Sequence, residues 1–424
     1  MKKLNEVLNR VLDKITPEKN EVKIVEKEVK NFIEKFKKDI KKNKIKADIF
    51  TGGSFAKGTA IRKKLHDVDL FVRFSKEYPN EKLSSLLKRL LKNKKNVKLI
   101  HGSRDYYRVF FGESFFIELI PVYRITRPKD AENITDLSYS HVNYVKKKTK
   151  DKKLLNEIKL AKAFCQAQRV YGAESYIKGF SGYSIELLII HYGSFVKLLR
   201  AIANSKDEKI VIDQERLYKN KKEVLMDLNG SKLDSPIVLI DPTHKARNAL
   251  AALSEESFNK FKNAAKKFLK SPSIKDFFPD KLNLGKLKED ALKNKNEFIE
   301  INLKTNKQEG DIAGSKLKKF YNHLSKEISK YFEIKRKGFS YGGKKQANCF
   351  FVVKKRKEIV IGGPLTKDKK NIAKFRKKHK NTFAKKGRIY SRVKVNFSLD
   401  NFLKGWISKN KVKLREMDVL GVEF

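Results

Sequence analysis

Two aspartates, Asp67 and Asp69, stand one residue apart in the otherwise apolar run DVDLFVRF. Few features restrict a fold as strongly. In a β-strand, residues i and i+2 face the same way. Both carboxylates therefore project from one face, and Val68 and Leu70 pack on the other. Two unpaired carboxylates at that spacing repel each other and are costly to desolvate. The strand needs a compensating positive charge. A divalent cation supplies one, because Mg²⁺ takes oxygen ligands and commonly uses one or two carboxylates together with substrate phosphates.

Two neighbouring features sharpen this. Gly52, Gly53 and Ser54 precede Asp67, with Ser54 13 residues ahead of it. Paired glycines let backbone N–H groups approach an anion, and a serine adds a hydroxyl donor. Such a turn suits the triphosphate of a nucleotide. A third carboxylate, Glu118, lies mid-strand in FFIELIP between Ile117 and Leu119. If its strand lies beside that of Asp67 and Asp69, three carboxylates converge, which suits two ions at a phosphoryl-transfer site. The competing reading is ordinary ion pairing, Asp67 with Arg62 or Lys64 and Glu118 with Arg108 or Arg124.

Composition narrows the partner. The chain has 424 residues, enough for two to four domains, and is 40% hydrophobic, enough for real cores. Lys and Arg number 99 against 49 Asp and Glu, a net charge of +50. Such a surface attracts polyanions, nucleic acid first, although a general lysine bias produces the same count. Cys165 and Cys349 form neither a metal-ligand spacing nor a disulfide framework. A cytoplasmic protein is expected. The first helix lacks a signal-peptide core. The longest apolar stretch, IELLIIHYGSFVKLL, is broken by Glu186, His191, Gly193 and Lys197 and reads as one buried helix rather than a membrane span.

Residues 1–42 read as two helices joined near Thr16-Pro17. Strand periodicity then runs from 48 to 125, interrupted by the amphipathic helix EKLSSLLKRLLKN, with RVFFGESFFIELIPVYRI a strand pair hinged at Gly112. The signal is helical from 154 to about 270, apart from a strand-like VLID between Pro236 and Pro242. Further on, SKLKKFYNHLSKEISKYF reads as a helix, NCFFVVKKRKEIVIGG as a hairpin around 354–357, and GRIYSRVKV as a strand. The segment GFSYGGKKQANCFFVVKKRK interleaves aromatics with lysines, as RNA contact requires. At least one of Phe350 and Phe351 belongs to a core, because strand neighbours face opposite ways.

The order GGS, D-V-D, then a carboxylate strand resembles the polymerase-β-like nucleotidyltransferase superfamily. SYSHVNYV, KAFCQAQRVYGAES and DPTHKARNALAAL are similar to the archaeal-type, class I CCA-adding tRNA nucleotidyltransferases, and FFPDK and KRKGFSYGG share that character. The likeness is dense over the first 255 residues and thinner beyond. It implies an enzyme that adds C, C and A to tRNA 3′ ends from CTP and ATP without a template. It implies that Asp67, Asp69 and Glu118 are catalytic and hold two Mg²⁺ ions. The family usually has Asp where this chain has Glu118, and often Glu where it has Asp67. Ser54, Ser138, His141, Lys162 and Tyr171 would grip the triphosphate, with Gly53 and Lys57 beside them. Arg247 would help to select C or A over G and U. By helical spacing, Lys162 and Tyr171 share a ligand only if their helix ends before Tyr171, and Gly172 is the residue expected to end it.

The expected fold is α/β plus α and multidomain. A nucleotidyltransferase head with a small mixed sheet (1–140) precedes a helical neck that completes the nucleotide pocket (141–255). An α+β body (256–315 and 370–424) and a tail (316–369) would bind tRNA. The sequence does not fix the oligomeric state, although the resembled family is often dimeric, and no membrane association is expected. The alternatives are a poly(A) polymerase or an oligoadenylate-synthase-like enzyme, or a non-catalytic basic RNA-binding protein, which would have lost at least one carboxylate.

Overall fold

The computed structural model describes residues 2–278 and 282–424. Of the segment FFPDK, residues 279–281 lie outside the described residues. The chain forms two compact units that divide between residues 280 and 281.

The first unit begins with α1 (Lys2–Ile15) and α2 (Lys19–Lys42), which flank Thr16-Pro17. Strand β1 (Ala47–Thr51) runs into the single turn α3 (Gly53–Ala56), followed by β2 (His66–Phe74), α4 (Leu83–Leu90), β3 (Val97–Ile100), β4 (Tyr106–Phe111) and β5 (Phe115–Tyr123). The strands form one mixed sheet in the order β1-β2-β5-β4-β3. Only the central β2–β5 pair is parallel; β4 and β5 form the antiparallel pair turned at Gly112, φ +59°. Period-2 alternation decides which side is core. Val68, Leu70, Val72, Phe74, Ile117 and Leu119 pack with Phe32, Phe36 and Ile40 of α2 and Leu83, Leu87 and Leu90 of α4. Asp67, Asp69 and Glu118 stand on the other face.

Next come α5 (Ser138–Lys148), α6 (Lys152–Ala167), α7 (Gly182–Tyr192), α8 (Phe195–Asn204), β6 (Ile210–Ile212), α9 (Lys221–Asp227), α10 (Gly230–Leu233), β7 (Ile237–Asp241), β8 (His244–Asn248) and α11 (Glu255–Lys270). The core here is aromatic. Phe164 meets Phe195, Phe261, Phe268 and Phe277 at ring-centroid distances of 5.4–5.8 Å. Each such ring contributes roughly 1.5–3 kcal/mol by burial.

The run IELLIIHYGSFVKLL is two helices, not the expected one. Gly193 takes φ +78° and caps α7, and the Ser194 side chain then accepts from Lys197 N–H to start α8. Helix α6 ends before Tyr171, as sharing a ligand requires, but Gly172 is not what ends it. The helix stops at Ala167, and Arg169, not Gly172, takes the left-handed position (φ +57°). Val170 N–H donates to Cys165 C=O across the turn, the contact of a Schellman cap.

The second unit contains α12 (Leu284–Lys293), β9 (Glu297–Lys304), α13 (Asp311–Tyr331), β10 (Phe332–Tyr341), β11 (Gln346–Lys355), β12 (Glu358–Leu365), α14 (Lys369–Lys378), β13 (Thr382–Lys385), β14 (Arg388–Lys394), α15 (Leu399–Lys409), α16 (Lys411–Glu416) and β15 (Gly421–Glu423). Its larger sheet runs β10-β11-β9-β15 and its smaller one β12-β14-β13. The hairpin expected around 354–357 does not form. Strand β11 already has β10 and β9 on its two edges, so β12 leaves to pair with β14. Phe351 is fully buried among Tyr321, Phe320 and Leu324, while Phe350 is half-buried beside Phe298 on the opposite face.

Candidate active site

The glycine turn and the aspartates are cross-strand neighbours. Strands β1 and β2 pair antiparallel, Thr51 against Leu70, and Gly52 N–H donates to Asp69 C=O at 2.8 Å. Gly53 takes φ +62°, and a Cβ there would lie 1.6 Å from Asp69 Oδ2. Only glycine fits. The spacing between GGS and D-V-D is therefore the length of chain needed to turn back onto the same point.

Parallel pairing sets Asp69 opposite Glu118 and Asp67 opposite Phe116. The structure thus brings Asp67, Asp69 and Glu118 together on one sheet face. It also pairs two of them with cations. Asp67 Oδ1 accepts from Lys63 Nζ at 2.7 Å, rather than from Arg62 or Lys64. Glu118 Oε1 accepts from Arg108 at 2.8 and 2.7 Å, Arg108 being its cross-strand neighbour on β4. Among the described residues, Asp69 has no such paired cation. Burial, then the charges of Glu118 and Asp67, push its carboxyl up to about 7. Burial also raises Glu118, against the pull of Arg108. Among the described residues no three His, Cys, Asp or Glu side chains are already arranged as a metal-ligand set. Asp67 and Asp69 nevertheless fit a divalent cation, since burial and the neighbouring carboxylates make the ionised form of Asp69 costly unless a cation is added.

The other expected residues fall into two groups. Lys57, just after the glycine turn, donates to Glu186 Oε2 at 2.6 Å, and Lys162 donates to Glu186 Oε1 at 2.8 Å and Thr59 Oγ1 at 2.9 Å. Glu186 is completely buried. Burial alone would raise its carboxyl, but Lys162 and Lys57 hold it down at about 2. Burial in turn lowers the Lys162 ammonium. Tyr171 joins this group: a Cβ on Gly182 would lie 3.0 Å from Tyr171 Oη and 3.9 Å from Lys162 Nζ. The early end of α6 is what brings both side chains beside Gly182.

The second group surrounds Asp241. His141 Nε2 lies 2.9 Å from Asp241 Oδ2, and Arg247 Nη1 donates to the same oxygen. Tyr183 Oη, Thr243 N–H and Thr243 Oγ1 donate to Oδ1. His141 stacks on Tyr183 with ring centroids 4.0 Å apart. Burial lowers the His141 imidazole despite its bond to Asp241. Asp241 is held below the usual carboxylate range by His141 and Arg247, against its own burial. Arg247 Nε is buried with no hydrogen-bond partner. Ser138 and Ser54 are both partly exposed, at the starts of α5 and near the start of α3.

Sequence reasoning missed Glu186, Thr59, Asp241 and Asp136. Glu186 served only as a break in an apolar run, yet the argument that singled out Glu118 applies to it equally. An ionised residue inside IELLII needs partners, and here it has two lysines. Asp136 is buried under Arg104 and accepts from the backbone N–H of Tyr123, Glu132 and Asn133, fixing the loop that leads to Ser138.

Comparison with known proteins places this arrangement. Residues 33–136 match the nucleotidyltransferase domain family and residues 156–278 the second domain of tRNA nucleotidyltransferases. The chain is an enzyme of the nucleotidyltransferase class. The CCA-adding enzyme of Nanoarchaeum equitans is 33% identical over 378 residues, covering 86% of this chain and 88% of that protein. The CCA-adding enzyme of Methanocaldococcus jannaschii is 26% identical over 413 residues, covering 93% and 88%. In fold, the chain is similar to Cid1, an RNA terminal uridylyl transferase, with TM-score 0.52 at 14% identity, covering 66% of this chain and 99% of that one. This chain belongs to the CCA-adding enzyme family. These relatives favour neither an open-ended poly(A) or oligoadenylate polymerase nor a non-catalytic RNA binder.

Proposed function

We propose that this enzyme adds C, C and A to the 3′ end of tRNA from CTP and ATP, without a template, by in-line attack of the primer hydroxyl on the α-phosphate and release of pyrophosphate. The observation that carries this reading is the pairing of β2 with β5, which sets Asp69 against Glu118 beneath the Gly53 turn.

Asp67 and Asp69 would hold divalent cations, two Mg²⁺ in all, with Glu118 joining once Arg108 releases it. Bound there, the cations supply electrostatic stabilisation of the attacking and leaving oxygens. The protein's own part is mainly positioning and preorganised charge. Gly53, Ser54 and Lys57 would bind phosphate from the head side, and Ser138, His141, Lys162 and Tyr171 from the neck side. The unpaired Nε of Arg247 supports a role in reading the base, with Asp241 fixing the guanidinium. The division into head, neck, body and tail at 1–140, 141–255, 256–315 with 370–424, and 316–369 is part of this reading. So are tRNA binding by the body and tail, a homodimer and a cytoplasmic setting. No described helix is long and apolar enough to cross a membrane.

The test is incubation of the protein with tRNA lacking its 3′ end, each nucleotide separately and Mg²⁺, read on a gel. Products extended by C, C and A and no further are expected. Open-ended A tails, or no incorporation of labelled CTP, would reject the reading.

A further inference from the structure

Neither catalysis nor the nucleotide contacts above accounts for Glu186, a buried carboxylate paired with two lysines. It lies on α7 with no exposed surface, and its side chain accepts from three donors: Lys57, Lys162 and Thr59. Lys57 follows the glycine turn, Lys162 is on α6, and Thr59 lies two residues beyond Lys57. One carboxylate therefore ties together two lysines from separate elements, the segment after α3 and helix α6. Two ammonium groups this close repel one another. Without an anion between them, each would move into solvent or lose its proton.

We propose that Glu186 is a positioning residue for the incoming nucleotide: its carboxylate holds Lys57 and Lys162 side by side, so that a triphosphate meets a preformed pair of ammonium groups. The pair keeps a net positive charge after Glu186 is counted, so an anion is still attracted. Lys57 spends one N–H on Glu186 among the described residues. Lys162 spends its weakest contact on the Thr59 carbonyl at 3.4 Å, and a phosphate oxygen can replace it. Thr59 bridges the two, donating to Glu186 at 2.8 Å and accepting from Lys162 at 2.9 Å. This inference rests on the nucleotide-site reading given above.

The experiment measures binding of CTP and of inorganic tripolyphosphate to the full chain by calorimetry, and steady-state CTP addition, for wild type, Glu186→Gln, Glu186→Asp and Thr59→Val. Glu186→Gln should weaken both CTP and tripolyphosphate by about tenfold, the loss expected for a charge-assisted hydrogen bond. KM for CTP should rise in parallel, while kcat and KM for tRNA move by less than about twofold. The penalty should grow between pH 7 and pH 9, as the lysines lose the anion that keeps them charged. Glu186→Asp should recover part of the loss. Thr59→Val, nearly isosteric, should shift binding in the same direction by a smaller factor and guards against a Gln variant that fails to fold. Unchanged tripolyphosphate affinity in a folded Glu186→Gln or Thr59→Val protein overturns the proposal. Failure of the wild type to bind CTP or tripolyphosphate overturns the nucleotide-site reading beneath it.

Discussion

Asp69 and Glu186 are acidic side chains of the same unit, and their surroundings drive them in opposite directions. Asp69 faces Glu118 and Asp67 and is pushed up to about 7; Glu186 faces Lys57 and Lys162 and is held at about 2. Burial penalises the charged form of both, so it cannot explain the difference. The neighbours do. The pair on α6 and α7 is complete within the protein, and its carboxylate works as framework. The cluster on β2 and β5 is incomplete, with more negative charge than Lys63 and Arg108 offset, and that deficit is what an external cation would fill. The contrast separates a carboxylate neutralised within the protein from one whose neighbours leave room for a cation, although both look like an isolated acid in an apolar run.

The largest test of this contrast is chemical. Asp69→Ala should reduce nucleotide transfer by at least about 10³-fold, as expected for loss of metal electrostatics, while tRNA affinity by gel shift stays within about threefold. An equal loss of tRNA binding would make the role of Asp69 structural rather than metal-binding. The next test is stability. At pH 7 without metal, Glu186→Gln should lower stability by roughly 3–5 kcal/mol, because two buried lysines lose their partner. Asp69→Asn should instead raise it, by about 1 kcal/mol, by removing like-charge repulsion. The two melting temperatures moving the same way would erase the distinction.

The signs of the pH dependence follow from the same shifts. Asp69 is raised, so the native state binds its proton more tightly. Its contribution is present at low pH and is lost as pH rises through about 7. Glu186 is lowered, so its contribution is present above the ordinary carboxylate range and is lost as pH falls toward about 2. Metal-free protein should therefore lose stability between pH 5 and pH 8, and Mg²⁺ should restore it at pH 8 more than at pH 5. Calorimetric scans in the presence of a chelator and of Mg²⁺ measure this, and a flat response in Asp69→Asn completes the comparison.

A smaller effect separates the base side from both carboxylates. Arg247→Ala should blur the preference for C and A over U and G by roughly tenfold, with less effect on overall rate; an unchanged preference would remove Arg247 from base reading. Smallest of all, single replacements of exposed lysines in the second unit should each weaken tRNA binding by well under about tenfold. Raising salt should weaken it steeply and linearly on a log–log plot, and a flat salt response would leave the +50 charge without a role in RNA binding.

Much of the site could be read from residue order. Gly53 and Asp69 announce each other because antiparallel pairing folds the chain back after a fixed length, and the glycine is demanded by a contact that no other residue allows. Glu118 was visible as a charge in an apolar strand. Glu186 carried the same signal but lay within a long apolar helix, where a polar residue is easily taken for a surface interruption. Asp241 could not be read at all, since its partners His141, Tyr183 and Arg247 come from separate elements. The β11–β12 hairpin failed for a related reason. Local alternation and a tight connection describe two strands correctly, but whether they pair depends on which edges are already taken.

The sequence alone determined the strand faces, the glycine turn, the acidic triplet and the charge that favours a polyanionic partner, because these depend on spacing of a few residues and on composition. Tertiary structure alone decided which buried acids would be neutralised and by whom. A carboxylate's protonation is set by charges a few ångströms away in space, and those charges arrive from residues 24, 100 or 129 positions distant in the chain.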